Sequence, residues 1–419
     1  MRDQEPEHPA AGERRLTTKE AAELLGVKPE TVYAYVSRGQ LGSRRTPGGR
    51  GSTFDAQEVR ALARRSRRDS GTPEAAGQEL AVRTRITLIE SDRFYYRGVD
   101  AVALAARHSY EEVAEWLWTG RLRPGIAFAA PEDSVAVARR AVDALPEHAG
   151  PADRLRVAAI AAAAADPLRF DLSEDAVLGT ARILVPTLVA ALPPVLHTGH
   201  DQGPLAHRLW TRLSGRPADE AALHALDTAL SLLVDHDLAA STLAVRVAAS
   251  ARAHAYAAVS AGLGVIEGPL HGAAGGLAHR LLLEVLDQGS AAPVVAEELR
   301  AGRRIPGLGH RLYPGEDPRA RALFALLDDI PRAAPALAAA RDIQATAARH
   351  TPLNANVDLA LAVLTASCGM PPTAAETIFA VARTAGWIAH ALEEYGERPL
   401  RMRPSGLYSG PRPPQPLPE

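Results

Sequence analysis

The chain has 419 residues, of which 47% are hydrophobic and 23% charged, so it is long enough for about two or three globular domains. A single cysteine, Cys368, excludes an intramolecular disulfide and a cysteine-rich zinc site. The longest apolar run, residues 183–196, contains prolines and is too short to cross a membrane, and the polar N-terminus has no apolar signal segment. We therefore expect a cytoplasmic protein without membrane contacts.

Charge is distributed unevenly along the chain. Residues 1–68 contain 14 Lys and Arg against 9 Asp and Glu, whereas the whole chain has 47 against 49 and a net charge of −2. A basic segment on an acidic body points to nucleic-acid binding by that segment alone. Composition also predicts a disordered tail over residues 1–14, a linker over residues 69–79 and a proline-rich tail over residues 411–419.

Residues 15–68 predict a compact unit that begins with two short helices. Thr17 and Glu20 fit a capping box at the start of the first helix, in which each side chain bonds a free backbone N–H. Pro29 fits the first turn of the second helix. The segment that follows, residues 43–54, is rich in Gly and Arg and predicts a hairpin wing.

This unit resembles the small winged helix-turn-helix domains of excisionases and MerR-type regulators. The resemblance rests on the string LTTKEAAELLGVKPETVYAYVSRGQL and on the wing that follows it. It implies DNA binding, with the second helix in the major groove and the wing on phosphates or in the minor groove. The contact residues that it implies are Lys28, Thr31, Tyr33, Arg44, Arg45 and Arg50. The alternative is a solvated charged face on a module that serves protein contacts or assembly.

Residues 80–410 predict a mainly helical region interrupted by Gly and Pro. Two histidines, His271 and His310, lie in glycine-containing turns that would let the backbone approach a ligand closely. Asp358 is followed by apolar residues, which would raise its pKa and make it a better base. Histidines can donate to an oxygen that gains charge, and arginines bind carboxylates through two hydrogen bonds. These residue types suit carbanion chemistry on an anionic substrate.

Each of these residues also has a purely structural interpretation. Asp358 could be the N-cap of the helix that follows it, and the two histidines could be hydrogen-bonded turn residues. Arg319 could be exposed to solvent, and Arg383 could pair with Glu394. Spacing along the chain does not decide between the interpretations, because it does not bring distant groups together.

The chain from about residue 85 to residue 410 resembles citrate synthase. The resemblance rests on motifs in the order of that family, namely ITLIE with FYYRGVD, VDHDL with AST, GPLHG, GLGHRLY with DPRA, NVD, ARTAGWIAH, and RP with LYSG. It implies an almost entirely helical enzyme that works as a homodimer or a higher even oligomer. It also implies a large domain, residues 80–271 and 371–410, and a small domain, residues 272–370, that closes over the substrate.

The resemblance further implies condensation of acetyl-CoA with oxaloacetate to give citrate and CoA, with no metal and no cofactor beyond the acyl-CoA co-substrate. Asp358 would remove a methyl proton, His271 would donate to the thioester oxygen, and His310 would polarise the ketone. The residues that it implies for oxaloacetate are His236, Arg319, Arg383 and, from the partner subunit, Arg403. Those that it implies for CoA are Arg304, Gly307, Leu308 and Gly309.

The sequence departs from the family pattern near these residues. Gly275 and Ala239 occupy positions where the family has asparagine, and Leu-Ala-Leu-Ala follows Asp358 in place of aromatic and small residues. Two alternatives stay open. One is a 2-methylcitrate synthase that uses propionyl-CoA, since one methyl group in a pocket is worth only about 1–3 kcal/mol. The other is a DNA-binding regulator whose citrate-synthase-like body senses a CoA ester or a dicarboxylate.

Overall fold

The computed structural model describes residues 15–25, 27, 29–37, 41–45, 52–56, 58–59, 82–196, 203–268, 271–272, 274–350, 353–404, 408–412 and 415. The chain divides into two compact units, residues 1–82 and residues 83–419. The expected N-terminal tail and the expected linker lie outside the described residues, as does most of the expected C-terminal tail.

The N-terminal unit combines two helices with a small sheet. Its elements are β1 (Arg15–Thr17), α1 (Thr18–Leu25), α2 (Pro29–Ser37), β2 (Ser43–Arg45) and β3 (Ser52–Asp55). The central strand β3 pairs antiparallel with both β1 and β2. The β2–β3 pair confirms the expected wing strands. Strand β1 was not expected from the sequence, because three residues are too few to show a periodicity of two.

A capping box and a small core hold this unit together. The backbone N–H of Glu20 donates to the Thr17 hydroxyl at 3.3 Å, and the Thr17 N–H donates to the Glu20 carboxylate at 2.8 Å. The side chains that form the core come from both helices, the sheet and the following turn: Leu16, Ala21, Ala22, Val32, Leu41, Phe54, Ala56 and Val59. The small core is consistent with a domain that presents its remaining surface to a partner.

The second unit is mainly helical, which confirms the expected fold class. A small antiparallel sheet opens it, with strands β4 (Thr87–Glu90), β5 (Arg93–Tyr96) and β6 (Val99–Asp100) in that order. The helices are α3 (Ala101–Ala105), α4 (Tyr110–Thr119), α5 (Glu132–Asp143), α6 (Pro151–Ala165), α7 (Glu174–Ala191), α8 (Leu205–Leu213), α9 (Glu220–Leu233), α10 (Ala240–Ser250), α11 (Ala255–Ile266), α12 (Ala274–Gln288), α13 (Ala291–Arg300), α14 (Pro318–Asp328), α15 (Ala334–Ala348), α16 (Val357–Ser367) and α17 (Ala374–Tyr395). None of the described helices is both long enough and apolar enough to span a bilayer.

Helix α17 lies at the centre of this unit, and most of its residues are buried. It packs against α4, α7, α9, α10 and α11. Gly386 permits one of these contacts, because a Cβ atom at that position would lie 2.1 Å from the carbonyl oxygen of Val234 at the end of α9. Small residues on α17 therefore bring it close to the segment that carries His236.

Helices α12 to α16 pack extensively on one another. Helix α16 contacts α12, α14 and α15, and α13 packs on α15. Asp317 caps the N-terminus of α14, and Asn356 caps the N-terminus of α16. These contacts bring the first turns of α14 and α16, with Arg319 and Asp358, into the same region.

Candidate active site

A cluster of aromatic and imidazole rings marks the candidate site. The ring centroids of His236 and His310 are 5.2 Å apart, and Tyr313 lies within 5.4 Å of both rings. The Tyr313 hydroxyl is 2.7 Å from Nε2 of His236. Burial, together with the guanidinium groups of Arg319 and Arg383, holds the pKa of His236 well below its ordinary value. His236 is therefore neutral and available for hydrogen bonding.

His310 presents a proton towards this cluster. The backbone N–H of Leu312 donates to Nδ1 of His310 at 3.1 Å, so the neutral ring carries its proton on Nε2. Burial, and then the Arg319 guanidinium, lower the pKa of His310 to about 4. The Nη2 atom of Arg319 lies 3.2 Å from Nε2, within hydrogen-bonding distance, and a guanidinium can only donate. A neutral imidazole has one acceptor nitrogen, so with Nδ1 accepting from Leu312 both Nε2 and Nη2 are donors, and a substrate oxygen beside them could accept from both.

Arg319 is buried and rigidly held. Its Nε and Nη2 atoms donate to the two carboxylate oxygens of Asp317 at 3.0 and 2.8 Å, which is a bidentate ion pair. The side chain is only 2% exposed, so the structural interpretation of Arg319 as a solvated surface residue is wrong. The Asp317 carboxylate neutralises the charge of this guanidinium before any ligand binds.

Asp358 lies in the first turn of α16 but does not cap it. The cap is Asn356, whose side-chain oxygen accepts from the Asp358 N–H at 2.9 Å, so the interpretation of Asp358 as an N-cap is wrong. The carboxylate of Asp358 has no hydrogen-bonding partner among the residues that the structure describes. Burial raises the pKa of Asp358 to about 6, while Arg319 lowers it and Asp317 raises it. The carboxyl group is therefore a stronger base than an ordinary aspartate.

The loop before His310 is joined to the turn that precedes α16. The N–H of Asn356 donates to the Gly307 carbonyl, the Gly309 N–H donates to the Asn354 carbonyl, and the Asn356 side chain donates to the Gly309 carbonyl, all within 2.9 Å. Gly307 has a φ of +83°, and a Cβ there would lie 2.8 Å from Cβ of Leu359. Only glycine allows this close approach, so residues 307–309 are fixed beside Asp358.

His271 is oriented by a serine and a tryptophan. Nε2 of His271 is 2.7 Å from the Ser241 hydroxyl, which also accepts from Nε1 of Trp387 at 3.3 Å. The hydroxyl proton has no other acceptor in the described part of the chain, so it is donated to Nε2 and the imidazole proton lies on Nδ1. Burial, and then Arg383, lower the pKa of His271 to about 4. His271 is thus a neutral Nδ1–H donor.

Arg383 is a buried guanidinium without a carboxylate partner. It is 1% exposed, its Nε donates to the Leu233 carbonyl at 2.9 Å, and its Cζ lies 4.6 Å from the centroid of the Phe379 ring. Its terminal nitrogens bond none of the described residues. The predicted alternative partner, Glu394, pairs instead with Arg246 and Arg401. Burial lowers the pKa of Arg383 to about 10, and the nearby Asp235 carboxylate opposes this shift only in part.

Phe379 and Gly275 lie between the residues of the candidate site. The ring of His271 packs edge-on against Phe379 at 5.8 Å, and the same ring lies under Arg383. At the other side, a Cβ atom on Gly275 would lie 2.8 Å from Cβ of Ala375 and 3.7 Å from a carboxylate oxygen of Asp358. Gly275 thus allows α12 to pack closely on α17 beside Asp358. Ala239 is the N-cap residue of α10 and provides no side-chain cap.

The remaining predicted residues are Arg304 and Arg403 in the second unit and the expected DNA-contact residues of the N-terminal unit. Arg304 and Arg403 are exposed, and their side chains form no hydrogen bond or ion pair with the described residues. Tyr33 is 48% exposed on α2, with its hydroxyl 3.2 Å from that of Thr18, and Thr31 is half-buried. Arg44 and Arg45 lie on β2, although their side chains are not described, and Lys28 and Arg50 lie outside the described residues.

Sequence reasoning missed three residues that shape the cluster. Asp317, Ser241 and Tyr313 each hydrogen-bond a predicted site residue. A signal was present in all three cases, because Asp317 and Tyr313 belong to the motif segments around Arg319 and His310, and Ser241 belongs to the AST motif. The contact of Ser241 with His271 could not be predicted, since it spans 30 residues.

Comparisons with known proteins agree with this fold. The model of the "Citrate synthase, C-terminal domain" family matches residues 77–405, and a "Helix-turn-helix domain" family matches residues 15–67. Citrate synthase of Haloferax volcanii is 31% identical over 357 residues, which cover 79% of this chain and 94% of that protein. Citrate synthase 2 of Bacillus subtilis is 30% identical over 353 residues, with coverages of 79% and 94%. The 2-methylcitrate synthase 1 of Corynebacterium glutamicum is 27% identical over 350 residues, with coverages of 77% and 90%.

Solved structures give the same result. The citrate synthase of Pyrobaculum aerophilum is 28% identical and has a TM-score of 0.68, with coverage of 81% of this chain and 93% of that one. The Thermoplasma acidophilum citrate synthase, solved in complex with carboxymethyl coenzyme A and oxaloacetate, has a TM-score of 0.67 at 23% identity, with coverages of 81% and 97%. The chain therefore belongs to the citrate synthase family and is an acyltransferase of that type, preceded by a helix-turn-helix domain.

Proposed function

We propose that this enzyme condenses an acyl-CoA with oxaloacetate, with acetyl-CoA as the acyl donor and citrate and CoA as the products. The observation that carries the proposal is the acid–base set: a partnerless carboxyl group with a pKa of about 6, and two imidazoles with pKa values of about 4. At neutral pH this set consists of one base and two neutral proton donors. Enolisation of a thioester followed by attack on a ketone needs those three groups.

In the first half of the reaction, the Asp358 carboxylate removes a proton from the carbon next to the thioester carbonyl. The Nδ1–H of His271 donates to the thioester oxygen as that oxygen gains charge. The orientation of His271 by Ser241 supports this role, because the proton is fixed on the nitrogen that is free to face a ligand. Preorganised donors of this kind lower a barrier without reorganisation during the reaction.

In the second half, the enol carbon attacks the oxaloacetate ketone, whose oxygen accepts from Nε2–H of His310. His236, Arg319 and Arg383 hold the dicarboxylate, with Arg403 of the partner subunit as a further ligand in a homodimer. The unpaired charge of Arg383 supports this assignment, because a bound carboxylate would satisfy the terminal nitrogens that lack partners. Hydrolysis of the resulting citryl thioester by water releases citrate and CoA.

CoA binding is assigned to the loop that contains Arg304, Gly307, Leu308 and Gly309. Its glycines have φ values of +83° and +78°, a conformation that favours glycine, and the loop is joined to the turn before Asp358. Arg304 is exposed and Gly309 is half-buried, whereas Gly307 and Leu308 are buried. We assign residues 272–370 to a small domain that closes over the substrates and excludes water until the enol has reacted. The packing of α12 to α16 on one another supports this division.

A thiol-release assay tests the proposal. Oxaloacetate and a set of other 2-oxo acids are each combined with acetyl-CoA and propionyl-CoA. The preference for propionyl-CoA would identify a 2-methylcitrate synthase, the name carried by one relative. The proposal predicts steady turnover that falls by about a thousandfold in Asp358→Asn, as is typical when a general base is removed. Asp328→Asn, an exposed position on α14 that pairs with Arg341, is the matched control and should keep full activity.

Ligand binding without turnover would support a different function. A folded protein that binds oxaloacetate or acyl-CoA but turns over none of the pairs would contradict the enzymatic proposal. It would favour a regulator whose citrate-synthase-like body senses the ligand.

We propose DNA binding as a second function, carried by residues 15–68. The specific observation is the pair of strands β2 and β3 that follows α2, in a region matched by a helix-turn-helix family. In this proposal Thr31 and Tyr33 of α2, together with Lys28, face the major groove, while Arg44, Arg45 and Arg50 contact phosphates or the minor groove. The excess of basic over acidic residues in residues 1–68 favours a polyanionic partner.

A mobility-shift experiment with full-length protein and fragments of its own genome tests this function. Binding should weaken as salt rises, because each neutralised phosphate releases counterions. The double variant Arg44→Ala/Arg45→Ala should bind more weakly and with a smaller salt dependence. The control is Arg300→Ala/Arg303→Ala, which removes two exposed arginines from the second unit. Absence of binding at low salt would leave an assembly module as the role of this domain.

A further inference from the structure

The Asp317 carboxylate accepts hydrogen bonds from four N–H groups of two different helices. On one side its Oδ1 accepts from the backbone N–H and from Nε of Arg319, both at 3.0 Å. On the other side its Oδ2 accepts from Nη2 of Arg319 at 2.8 Å and from the backbone N–H of Val357 at 3.0 Å. The side chain is 1% exposed, so protein donors take the place of water around it.

The contact with Val357 connects Asp317 to the candidate base. Val357 is the first residue of α16, and its N–H is one of the free donors at the start of that helix. Asp358 follows it directly. One carboxylate therefore holds both the Arg319 guanidinium and the backbone from which the Asp358 side chain projects.

The contact with Arg319 fixes the direction of its donors. With Nε and Nη2 bound to Asp317, Nη2 lies 3.2 Å from Nε2 of His310. The guanidinium is planar, so two anchored nitrogens determine the orientation of the whole group. The relative positions of the His310 proton, the Arg319 donors and Asp358 thus depend on a single side chain.

We propose that Asp317 is a positioning residue for the condensation reaction, which sets the oxaloacetate-binding donors and the base in one geometry. This inference rests on the proposed function of the site. Asp317 touches neither substrate in that scheme and acts through Arg319 and the first turn of α16. The charge of Asp317 also influences the base, since burial raises the pKa of Asp358 and the two neighbouring charges act on it in opposite directions.

Asp219 is a helix-capping aspartate that lies outside the candidate site. Asp219 caps α9 by accepting from the Ala222 N–H at 2.8 Å and pairs with Arg332. It therefore has the same two tasks as Asp317, a helix cap and an arginine partner. It is exposed, and its partners are not part of the candidate site. Asp219→Asn is the matched control for Asp317→Asn.

Asparagine at position 317 would change the site in two ways. An asparagine side chain has one acceptor oxygen, so its NH₂ group would face either Arg319 or the Val357 N–H. In either orientation two hydrogen-bond donors would face each other, and a hydrogen bond would be lost. It also removes a negative charge near Asp358, and the remaining Arg319 charge would then lower the pKa of the base. Other titratable groups on helices that pack against α16 are unchanged by the substitution: His279 on α12, and Glu376 and Arg383 on α17. His310 and His271 stay neutral because their pKa values are about 4.

The experiment compares full-length wild type, Asp317→Asn, Asp317→Glu and Asp219→Asn by thiol release from pH 4.5 to 9, by calorimetric titration with oxaloacetate, and by thermal melting. This range covers the acid limb expected near pH 6, the pKa of Asp358, and the plateau above it. Asp317→Asn should lose about 100-fold in kcat/KM, as expected when reacting groups are displaced. It should raise the KM for oxaloacetate and move the acid limb of the profile to lower pH.

The other two variants separate positioning from folding. Asp317→Glu keeps the charge and displaces the donors, so it should lose kcat/KM while the acid limb stays at the wild-type pH. Asp219→Asn should match the wild type in kcat, KM and pH profile, whatever its melting temperature. A parallel loss of kcat in all three variants, with unchanged KM and pH limb, would overturn the inference. If Asp317→Asn does not fold, an unchanged kcat/KM in Asp317→Glu overturns it.

The wild type separates this inference from the proposed function. A wild type that binds oxaloacetate without turnover contradicts the enzymatic proposal, and the calorimetric titration then decides the role of Asp317. Weaker oxaloacetate binding in Asp317→Asn but not in Asp219→Asn would support the orientation of Arg319. Equal affinities in both variants would contradict it.

Discussion

The hydroxyl of Ser241 lies 2.7 Å from Nε2 of His271, and this contact determines which nitrogen of the imidazole carries the proton. Ser241→Ala removes the donor to Nε2, so the proton is no longer held on Nδ1. We expect kcat to fall by about tenfold, the equivalent of a typical hydrogen bond of about 1.4 kcal/mol. Thiol release under saturating substrates measures the effect. Ser250→Ala, on the same helix, removes a hydroxyl that bonds only the Val247 carbonyl and should leave kcat unchanged.

The pH profile of the enzyme should report the ionisation of Asp358. A base must be deprotonated, so kcat/KM should rise as the pH increases through about 6, the pKa of Asp358, and then reach a plateau. The two histidine donors, with pKa values of about 4, are neutral throughout this range. An acid limb near pH 4 would contradict the raised pKa of Asp358, since that is the ordinary range of an aspartate.

The raised pKa of Asp358 also has a consequence for stability. Because the folded state disfavours the ionised carboxylate, ionisation of Asp358 destabilises the fold at every pH above the unfolded pKa. Asp358→Asn should therefore melt at a higher temperature than the wild type at pH 7.5, and the difference should disappear near pH 3.5, where both states are protonated. Melting curves at the two pH values test this, and a lower melting temperature at pH 7.5 would contradict it.

Arg383 and Arg246 are both 1% exposed, but only Arg246 has carboxylate partners. Oxaloacetate should raise the melting temperature of the wild type, because it binds only the folded state. In Arg383→Gln this increase should be lost, while the ligand-free protein should melt at an equal or higher temperature, since a buried unpaired charge has been removed. Arg246→Gln should melt at a lower temperature, because it removes the arginine that pairs with Glu393 and one of the two arginines that pair with Glu394.

Gly386 should be intolerant of any side chain. A Cβ atom there would lie 2.1 Å from the Val234 carbonyl and 3.0 Å from Asp235, so Gly386→Ala should destabilise the fold by on the order of 2–3 kcal/mol. Gly179→Ala on α7 is the control, because a Cβ there meets no atom within 4 Å and alanine favours a helix. The melting temperature should be lower than that of the wild type in Gly386→Ala and higher in Gly179→Ala.

Helices whose apolar residues recur with a strong helical period could be predicted well from the sequence. Apolar residues recur at helical spacing over six turns between Ala374 and Tyr395, which predicts a helix over the residues that form α17 in the structure. Strand β1 has no such repeat and was missed. The turn Asn-Val-Asp before α16 offers two possible caps, and only the backbone geometry shows that Asn356 is the cap.

Side-chain partners were harder to predict than elements. Arg383 and Glu394 lie three turns apart on one helix, roughly 16 Å along its axis, which is too far for a direct ion pair. In the structure Glu394 faces Arg246 on α10 and Arg383 lies over Phe379. The family resemblance named the residues of the candidate site. It did not reveal the chain of contacts through Asp317 and Ser241, because those contacts join segments that only the tertiary fold brings together.

The hydrogen bonds between residues 307–309 and residues 354–356 tie two stretches of chain that lie far apart in sequence. Three hydrogen bonds thus couple the position of the glycine loop to that of the turn before α16. A displacement of the glycine loop should therefore also move the start of α16. If CoA binds to that loop as proposed, its binding would shift the Asp358 carboxylate. Recognition of the nucleotide end of the substrate would then position the base against the acyl group at the other end.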